Sequence, residues 1–511
     1  MSTTENRHRG RRRARGARDS KREAQAPFRQ ITHPYNPVEV LSADHVEAIH
    51  NASLTILEEI GIKVLEPTAR DIFRRAGCKV DHDLEMVYLD RMLVEQQAGL
   101  APAEFILHAR NPAHDVKVGG KNAIFASVGG PALVSCLDKG RRAGSYAEMC
   151  DFIKLTQSLN IIHQEGGGPF EAMDLPQESR HLDLHLAQIT LTDKTWQPWG
   201  MGVERTMDGI EMACMAMGLK PGEIHDKPIV TTVINTNSPL QLDIPMAQGL
   251  MTLAEHGQPS IITPFTLSGA MAPVTLAGAL AEQNAEVLAG VTLAQLVRPG
   301  APVVYGGFTS NVDMKTGSPA FGTPEYTLAA QASGQLARRY QLPFRSSNVT
   351  SSHAVDAQAA YESQMSIWGA MNGHVNLLNQ GAGWLGGGIV ASFEKLIVDA
   401  EMLQMVAAYS QPFEVSEASL GLDAIREVGP SGHFFGTQHT MERYKSAFYQ
   451  PLVSDWSNYE NWADRGSLST AQRANEIWKR MLADYQKPRL DESIVEQLKD
   501  YVDRRKSTIH K

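Results

Sequence analysis

Residues 303–349 read VVYGGFTSNVDMKTGSPAFGTPEYTLAAQASGQLARRYQLPFRSSNV and contain one full repeat of the pattern that decides the fold. A short apolar run at Val303–Tyr305 ends in glycines, an amphipathic stretch follows at 326–340, and the next apolar run begins at Phe344. This is the order of a βα unit, in which strands and helices alternate at intervals of roughly 30 to 40 residues. The stretch therefore predicts an α/β protein with a parallel sheet.

The same pattern occurs eight times along the chain. The apolar runs begin near Ile124, Ile161, Trp196, Ile229, Ile261, Val303, Phe344 and Val375. Eight such units are enough to close a (β/α)8 TIM barrel, which we predict at residues 120–410. Such barrels carry their chemistry at the C-terminal ends of the strands, so the search for a site narrows to eight loops.

The segments on either side of the barrel complete the predicted organisation. Residues 1–34 are rich in arginine and have little to bury, so we expect a disordered basic tail; binding of this tail to RNA or to an acidic surface stays an alternative. Residues 35–119 mix helical and strand patterns and predict an N-terminal α+β cap, and residues 411–511 predict a helical C-terminal region. The apolar character of that last region makes a homo-oligomer the expected state.

The composition excludes several classes of protein. The chain has a formal charge of −9, and residues 1–30 hold ten Lys/Arg against three Asp/Glu, so the body is acidic and nucleic acid is not expected as a partner. No uncharged apolar run of about 18 residues is present, so no membrane span is expected. The polar N-terminal residues and four scattered cysteines without a CxxC pair indicate a cytoplasmic protein with reduced thiols.

Aromatic residues are concentrated at the predicted strand ends. They are Trp196, Trp199, Phe265, Tyr305, Phe308 and Trp384. Barrel strands ordinarily place Val, Ile and Leu in the interior, so rings converging on one mouth indicate a ligand held by π-faces. A quaternary ammonium, which cannot donate a hydrogen bond, is such a ligand. The alternative is that individual rings pack against the cap or a partner.

Few charged groups accompany these rings. Arg345 lies in a strand end, where its planar fork suits a substrate carboxylate, and an internal ion pair with Glu165 or another acid is the alternative. His353 is expected to face the same carboxylate, with a purely structural role left open, and Gln380 to line the floor.

Two further patterns bear on metals and phosphate. His181 and His185 lie one helical turn apart, but no third ligand is evident, so no metal is expected. Gly383, Gly386, Gly387 and Gly388 follow the eighth strand, where many barrels bind phosphate, although glycines also allow the close approach of any large ligand.

Several motifs together resemble those of the trimethylamine methyltransferase superfamily over about residues 35–485. They are Asp356-Ala-Gln-Ala-Ala-Tyr361-Glu362, Asn379-Gln-Gly-Ala-Gly-Trp384, Ser392-Phe-Glu394-Lys395-Leu, Asp399-Ala-Glu401-Met, Tyr305-Gly with Asp313-Met and Pro324-Glu325, and Gly429-Pro-Ser-Gly432-His433-Phe with His439-Thr440. The resemblance implies a (β/α)8 barrel that moves a methyl group from an amine to the cobalt of a separate corrinoid protein. Trimethylamine enzymes of this family use pyrrolysine, whereas residues 346–353 here are ordinary amino acids. The chain is therefore similar to the non-pyrrolysine branch, which acts on glycine betaine and related quaternary amines.

The chemistry of a quaternary amine agrees with a site poor in titratable groups. Its leaving group is a neutral amine, so no general acid is needed, and the protein has only to position the methyl group and exclude water. We therefore assign no catalytic residue and no tightly bound cofactor. The expected substrate-binding residues are Trp196, Trp199, Tyr305, Phe308, Arg345, His353, Gln380 and Trp384, and the expected corrinoid contacts are Gly383, Gly386, Gly387 and Gly388.

Two other functions are compatible with these residues. One is a barrel enzyme of another class that acts on a phosphorylated substrate through the glycine-rich loop. The other is a non-catalytic sensor that binds a quaternary amine without transferring its methyl group.

Overall fold

The computed structural model describes residues 25–220 and 222–509. At its centre lies a curled sheet of eight parallel strands, which we number β1 to β8 in chain order. The strands are Asn122–Ser127, Gln164–Glu165, Thr195–Trp196, Thr232–Thr236, Ser260–Pro264, Val303–Gly306, Phe344–Ser347 and Leu377–Ala382. Their order across the sheet is β3-β2-β1-β8-β7-β6-β5-β4, and each neighbouring pair is parallel.

A helix follows each of these strands, as the repeat predicts, and we number these helices α1 to α8. The helices are Tyr146–Ser158, Arg180–Leu191, Gly202–Met217, Ile244–Glu255, Leu276–Val297, Pro324–Arg339, Ala357–Asn372 and Phe393–Tyr409. Local sequence explains where several of them begin. Ser145 and Glu148 form a capping box at α1, and Asp243, Thr323, Asp356 and Ser392 accept amide hydrogen bonds at α4, α6, α7 and α8.

The eight-stranded parallel sheet is confirmed, but its closure into a complete barrel is not confirmed at one seam. Within the described residues no backbone ladder joins β3 to β4. Pro198, just after β3, has no N–H to give to a ladder, and its carbonyl instead accepts a hydrogen bond from Thr232 Oγ1 at 2.7 Å. At the other end of the seam the chain around His108 is inserted, and the His108 N–H donates to the Pro228 carbonyl. The eight strands therefore form a curled sheet whose ladder is open at this position.

The inside of the curl changes character from one end to the other. Its N-terminal end holds an apolar cluster that includes Ile124, Ile261, Val304 and Leu377. An antiparallel hairpin, Glu104–Leu107 with Val116–Gly119, packs Leu107, Val116 and Val118 into the same cluster. This end is therefore filled.

A polar layer lies above the apolar one. The Gln197 side chain donates to Gln164 Oε1 at 2.9 Å and to Asn379 Oδ1 at 3.2 Å. These three amides join β2, the end of β3 and β8 across the interior. Within the described interior of the curl, these two layers leave the C-terminal end of the strands as the open end.

Two further parts flank the sheet. The part of the chain before β1 contains the helices Ala43–Thr55, Pro67–Arg75 and Arg91–Ala98, the π-helical turn Ile56–Ile60, and the strands Ile62–Val64, Lys79–Asp81 and Met86–Tyr88. The part of the chain after α8 contains the helices Glu417–Leu420, Leu422–Val428, Gln438–Arg443, Tyr459–Asp464, Thr470–Ala483 and Glu492–Ile509. The remaining short elements are the strands Leu133–Cys136, Gly140–Ala143, Gln241–Leu242, Thr266–Ser268, Thr309–Val312, Pro319–Ala320, Trp384–Leu385 and Val390–Ser392, and the 3-10 turns Pro112–His114, Glu223–Asp226 and Gly386–Gly388.

The predicted tail is corrected at its C-terminal end. Ile31–Thr32 forms a strand that pairs antiparallel with Ala123 and Asn122 of β1, so ordered chain begins before residue 35. Residues 1–24 of the predicted tail lie outside the described residues. The boundaries of the cap and of the C-terminal region stay predictions. No helix within residues 25–220 and 222–509 has the length and apolar character needed to cross a membrane.

Candidate active site

A cavity of about 980 Å³ opens at the C-terminal ends of the parallel strands. Residues from β4, β5, β7 and β8 and from the loops that follow most of the strands line it. This is the edge at which parallel α/β sheets carry their ligands. Its charged lining residues are Glu171, Arg180, Arg205 and Arg345, which leaves a surplus of two positive charges.

One side of the cavity is an aromatic wall, formed by Phe265, Phe308, Phe321 and Trp384. The Phe308 ring centroid lies 5.4 Å from that of Phe265, 5.8 Å from that of Phe321 and 6.3 Å from that of Trp384. Phe321 and Trp384 meet edge to face at 6.2 Å. These separations are typical of rings in mutual contact, so the wall is one continuous apolar surface.

Neighbouring elements hold the members of this wall in place. Gln283 of α5 accepts a hydrogen bond from the Phe308 N–H at 3.1 Å, and the Phe321 N–H donates to Ser351 Oγ at 2.8 Å. At the end of β8, Gly383 adopts φ +105° while its N–H donates to the buried carboxylate of Asp399 at 2.9 Å. This turn directs the next residue, Trp384, to the cavity.

Arg345 is the principal polar group in the cavity. Its side chain comes from the interior of β7 and is only 2% exposed. One guanidinium nitrogen, Nη2, donates to Gln380 Oε1 at 2.8 Å, whereas Nε and Nη1 have no partner in the described part of the chain. Burial lowers the pKa of Arg345 to about 10, so the group is positively charged at neutral pH. Two unsatisfied N–H donors on a buried cation are costly unless a ligand accepts from them.

The backbone of β8 positions Gln380 for this contact. The pairing of β8 with β1 shifts register between Leu378 and Ala382, and Gln380 has a left-handed φ of +49°. Such a conformation costs a residue other than glycine about 1 kcal/mol or more, and it is typical of functional sites. Ser347 Oγ also donates to Gln380 Oε1 at 2.8 Å. The amide of Gln380 is therefore fixed and orients the arginine.

The ion pair between Arg345 and Glu165, held open as an alternative, does not form. Glu165 is fully buried, and its carboxylate accepts hydrogen bonds from the Gly167 and Gly168 N–H groups, both at 3.0 Å, and from the Gln188 side chain. Burial raises the pKa of this carboxyl group. Among the described carboxylates none lies within salt-bridge distance of Arg345.

Two of the predicted cage residues lie elsewhere. Trp196 is buried beside His185, with ring centroids 5.5 Å apart, and the Tyr305 hydroxyl donates to Asn284 Oδ1 at 3.0 Å. Neither residue lines the cavity. Side chains alternate along a strand, and since Gln197 and Val304 point into the interior, their neighbours Trp196 and Tyr305 point to the surrounding helices. The prediction that they form a cage is therefore corrected.

The remaining predicted residues divide in a similar way. Phe308, Arg345, Gln380, Trp384 and Trp199 line the cavity, but Trp199 lies apart from the aromatic wall, and its indole N–H donates to the Gly167 carbonyl at 3.2 Å. His353 is exposed and does not line the cavity, which corrects its predicted contact with a carboxylate.

The glycine-rich loop contributes to the cavity at two positions. Gly387 and Gly388 line it, whereas Gly383 and Gly386 do not. The Gly386 N–H donates to the Ser352 carbonyl and the Gly387 N–H to the Thr350 carbonyl. Most of the loop's amides are consequently engaged within the chain.

The two histidines of α2 have structural contacts. His181 Nε2 lies 2.9 Å from Asp208 Oδ2, and His185 Nε2 accepts the Trp199 N–H at 3.3 Å. Burial lowers the pKa of His185 to about 3, so this ring is neutral. No group of three or more His, Cys, Asp or Glu side chains suited to a metal ion occurs in the described ranges.

Sequence reasoning missed Phe321, and it placed Phe265 among the rings at the strand ends but not among the expected substrate-binding residues. Phe321 precedes α6 by three residues and follows no strand of the central sheet. A signal was available, because the segment Ala320-Phe321-Gly322 places a large ring just before the Thr323 cap of that helix.

The fold and cavity together define an α/β protein with a candidate small-molecule site at the C-terminal ends of its parallel strands. Comparison with known proteins is more specific. The family model described as trimethylamine methyltransferase (MTTB) matches residues 7–510. The chain belongs to this family and is a methyltransferase.

Relatives with assigned activities cover nearly the full chain. A glycine betaine methyltransferase of Desulfitobacterium hafniense (strain Y51) is 40% identical over 477 residues, which span 93% of this chain and 98% of that protein. The trimethylamine methyltransferase MttB of Methanosarcina barkeri (strain Fusaro / DSM 804) is 30% identical over 486 residues, 91% and 94% of the two chains. The solved structure of the Methanosarcina barkeri monomethylamine methyltransferase MtmB matches 87% of this chain and 93% of that chain at 10% identity and a TM-score of 0.48. We transfer no residue from that structure.

Proposed function

We propose that this protein transfers a methyl group from a betaine, a quaternary ammonium that also carries a carboxylate, to the Co(I) of a corrinoid bound to a separate protein. The observation that carries the proposal is Arg345, whose Nε and Nη1 lack a hydrogen-bond acceptor in the described chain although the side chain is buried. A carboxylate in the cavity can accept a charge-assisted hydrogen bond from these free N–H donors. The 40% identical relative named glycine betaine methyltransferase supports the same substrate class.

The charge of the cavity favours a zwitterion over a simple amine. Glu171 is paired with Arg180 at 2.8 Å, so Arg205 and Arg345 remain uncompensated. A cation without a carboxylate, such as choline or protonated trimethylamine, enters this field at a cost. A betaine satisfies the arginine with one end and brings no net charge. The ordinary residues at 346–353 likewise disfavour trimethylamine, because its enzymes in this family use pyrrolysine.

The aromatic wall is suited to the other end of the molecule. With the carboxylate at Arg345, inside the strands, the ammonium lies toward the open end of the cavity beside Phe321 and Trp384. Ring faces attract such a cation by about 0.5–2 kcal/mol each. The N-methyl groups then point toward the opening, where an acceptor can reach them.

The reaction needs positioning more than proton transfer. When the methyl carbon is attacked, the C–N electron pair leaves with nitrogen as a neutral tertiary amine, and the electron pair of Co(I) forms the new bond to carbon. No proton is taken or given. The cavity accordingly needs no general acid, and its rings and Arg345 hold the methyl group in line and keep water away.

The phosphate alternative has weaker support. The Gly386 and Gly387 amides donate to carbonyls of the β7–α7 loop, and the Gly383 amide donates to Asp399, so these groups are engaged. A phosphate needs several free amides at one point. The sensor alternative stays open, because a betaine site serves binding and catalysis equally.

We also propose that the chain associates with further copies of itself. Exposed aromatic residues are concentrated between residues 411 and 460. They include Phe413, Phe435, Phe448, Trp456 and Tyr459. The helices Glu417–Leu420, Gln438–Arg443 and Tyr459–Asp464 bury none of their own residues. Aromatic side chains that stay exposed in a single chain are typical of a surface covered by a partner. A second copy of the chain is always available as that partner, since it is present at the same concentration.

The decisive experiment mixes the protein with cob(I)alamin and a panel of quaternary amines: glycine betaine, proline betaine, carnitine and γ-butyrobetaine. Formation of methylcobalamin is followed by absorbance, and betaine binding is measured separately by calorimetry. Methyl transfer from at least one betaine is the expected result. Binding without transfer across the panel identifies a sensor, and absence of binding refutes the betaine site.

A further inference from the structure

A second cavity, of about 530 Å³, lies at the opposite end of the sheet from the candidate active site. Ile161, just before β2, lines it together with Gln404 near the end of α8, the helix that returns from β8. These positions lie at the N-terminal ends of the strands, and we call this space the rear cavity. Its volume is within the range of about 300–1,000 Å³ that small-molecule sites occupy.

Hydrogen bonds fix the wall of the rear cavity that is formed by the start of the described chain. Gln25 Oε1 accepts the Asn160 N–H at 2.9 Å, and Asn160 Nδ2 donates to the Ala26 carbonyl at 3.0 Å. Further along, the Arg29 carbonyl accepts a hydrogen bond from His163 Nε2 at 2.9 Å. This wall is therefore anchored to the turn before β2 at several points.

Gln404 provides a free hydrogen-bond donor in the rear cavity. Its side chain lines the cavity and is only 5% exposed, and its Nε2 has no hydrogen-bond partner within residues 25–220 and 222–509. A buried donor without an acceptor is costly, so native structures retain few of them. An acceptor that enters the cavity from outside the chain removes this cost.

The charged residues that line the rear cavity are Arg29 and Lys445, and both are exposed at its opening. Neither forms an ion pair with a carboxylate of the described chain. Because the whole chain has a formal charge of −9, two uncompensated cations beside one cavity stand out from an acidic body. Such a local field favours an anion.

Two aromatic rings complete the rear cavity. Tyr449 lines it, and the hydroxyl of this residue donates to Glu401 Oε1 at 3.0 Å, which fixes the ring. Phe448 also lines it, although its side chain is 76% exposed. Flat apolar faces of this kind suit a ligand that carries a ring of its own.

We propose that the rear cavity binds a small organic oxyanion that carries an aromatic ring. Its carboxylate or phosphate group pairs with Arg29 and Lys445, and its ring packs against Phe448 and Tyr449. Gln404 donates to one of its acceptor atoms. The unpaired polar groups of Arg29, Lys445 and Gln404 are all donors, so the ligand has to supply acceptors. This site is separate from Arg345 and does not depend on the proposed methyl transfer.

The charge of the N-terminal tail disfavours the tail as the occupant. Residues 1–24 hold nine Lys/Arg against three Asp/Glu, and a segment of this sign is repelled by Arg29 and Lys445. A second copy of the chain is the other possible cover, and light scattering distinguishes it from a small ligand.

Calorimetry with the full-length protein tests the chemical class of the ligand. The probes are 2-naphthoate and 1-naphthyl phosphate, which join a ring to the two kinds of oxyanion. The matched controls are 2-naphthamide, which lacks the charge, and inorganic phosphate, which lacks the ring. We expect at least one naphthyl anion to bind about tenfold or more tightly than both controls, and the stronger of the two identifies the anionic group. Absence of binding by both anions, or equal binding of either control, overturns the proposal.

Two variants place the bound probe in the rear cavity. Arg29→Gln with Lys445→Gln should weaken the binding of the naphthyl anion about tenfold at low ionic strength, and the loss should shrink as salt is added. Lys487→Gln with Arg504→Gln is the matched control, because it removes two exposed cations of the same types that do not line this cavity. Equal affinities in the two double variants would mean that the probe occupies another place.

Gln404→Met separates a binding role from a merely tolerated amide. Methionine keeps the length of the side chain and removes the unpaired donor, so the melting temperature of the ligand-free protein should rise. The affinity for the naphthyl anion should nevertheless fall about three- to tenfold, because one hydrogen bond to the ligand is lost. A higher melting temperature with unchanged affinity would contradict the proposed contact.

Two further measurements exclude other places for the probe. Saturating glycine betaine should leave the affinity for the naphthyl anion unchanged, since the two cavities lie at opposite ends of the sheet. Competition between them would place the probe beside Arg345 and overturn the inference. If the Arg29→Gln and Lys445→Gln variant changes the particle mass by light scattering while probe affinity stays the same, a second copy covers the rear cavity and the inference fails.

Discussion

The guanidinium carbon of Arg345 lies 5.1 Å from the centroid of the Phe308 ring. One face of Phe308 therefore already holds a cation that belongs to the protein. Since the guanidinium lies over this ring and is bonded to Gln380 through Nη2, the orientation of its free Nε and Nη1 donors is fixed. Phe308 is consequently a support for the arginine, and the rings available to a substrate ammonium are those of Phe321, Trp384 and Phe265.

Replacing Arg345 should remove affinity for the carboxylate end of a betaine. We expect Arg345→Gln to weaken glycine betaine binding by about 2–5 kcal/mol, because a buried charged partner is lost. The betaine affinity of Arg345→Lys should lie between those of the unchanged protein and Arg345→Gln, since lysine keeps the charge but not the planar guanidinium. Choline has no carboxylate, so its weak binding should not decrease in either variant. Calorimetry with the two ligands measures the difference.

Arg205→Gln is the matched control for this change. It removes the same charge from the same cavity, but at a half-buried side chain that stacks on Trp199 with its guanidinium 6.0 Å from the ring centroid. The loss of betaine affinity should be much smaller than in Arg345→Gln. Equal losses in the two variants would show that only the overall charge matters and would contradict a carboxylate clamp at Arg345.

Trp384 should distinguish a positive nitrogen from a neutral carbon of the same shape. Glycine betaine and 3,3-dimethylbutanoate share a carboxylate and three methyl groups, but only the betaine is cationic at its centre. We expect the unchanged protein to prefer glycine betaine, and Trp384→Leu to lose about 0.5–2 kcal/mol of that preference. Competition calorimetry with the two ligands gives the value. A preference that survives the substitution would exclude the indole from the ammonium site.

The sequence alone predicts the eight βα units and the edge that holds the cavity. Each of the eight apolar runs corresponds to a strand, although β3 is reduced to Thr195–Trp196 and β4 begins at Thr232 rather than near Ile229. The open seam between these two strands could not be derived from periodicity. It depends on the missing N–H of Pro198 and on the chain around His108, which comes from a distant part of the sequence.

The candidate site was predictable only where strand parity was clear. Trp196 and Tyr305 lie in or at the end of the same apolar runs as residues that face the interior. Each is one position away from an inward-facing residue, so its side chain points to the surrounding helices. Because side chains alternate along a strand, every second residue counted from Gln197 or Val304 points inward and the residues between them point outward. This rule applies once one inward residue is known. Phe321 could not be placed by this rule, since it enters the wall from the loop before α6.

Glu282 should make stability depend on pH. Burial, with a further contribution from Glu286, raises the pKa of this carboxyl group from 4.5 to about 7. The folded chain therefore binds a proton that the unfolded chain has released between these values, and stability falls as the pH rises through about 7. We expect Glu282→Gln to stabilise the protein by about 1 kcal/mol at pH 8 and to have little effect at pH 4.

Thermal unfolding at the two pH values measures the effect, with Glu286→Gln for comparison. Glu286 accepts hydrogen bonds from Ser238 Oγ at 3.0 Å and from the Leu240 N–H at 2.8 Å, so its substitution should destabilise the chain. A melting temperature of Glu282→Gln that rises equally at pH 4 and pH 8 would show that ionisation is not the cause.

Gly388 should control the position of the Trp384 ring. A Cβ at Gly388 would lie 2.3 Å from Trp384 Cζ2, so Gly388→Ala must displace the indole or the loop. We expect betaine affinity to fall by about as much as in Trp384→Leu. Separately, the backbone strain at φ +90° should lower the stability of the protein by about 1 kcal/mol. Gly77→Ala is the control, because Gly77 has φ +94° with nothing within 4 Å of the added Cβ. Unchanged betaine binding in Gly388→Ala would refute this role for the loop.

Self-association should depend on the aromatic residues between 411 and 460. The chain has a mass of 56.0 kDa, and we expect light scattering coupled to gel filtration to give a multiple of it. The substitutions Phe413→Ser, Phe435→Ser and Trp456→Ser remove three side chains that are 86%, 84% and 67% exposed, so they cannot disturb a core within one chain. Their combination should shift the mass toward 56.0 kDa while the melting temperature of the sheet changes little, since surface substitutions are usually within about 0.5 kcal/mol. A control variant with Ile60→Gln, Leu84→Gln and Met92→Gln, which alters three exposed residues before β1, should keep the oligomer. A monomeric mass for the unchanged protein, or an oligomer that survives all three serine substitutions, would mean that this segment does not join copies of the chain.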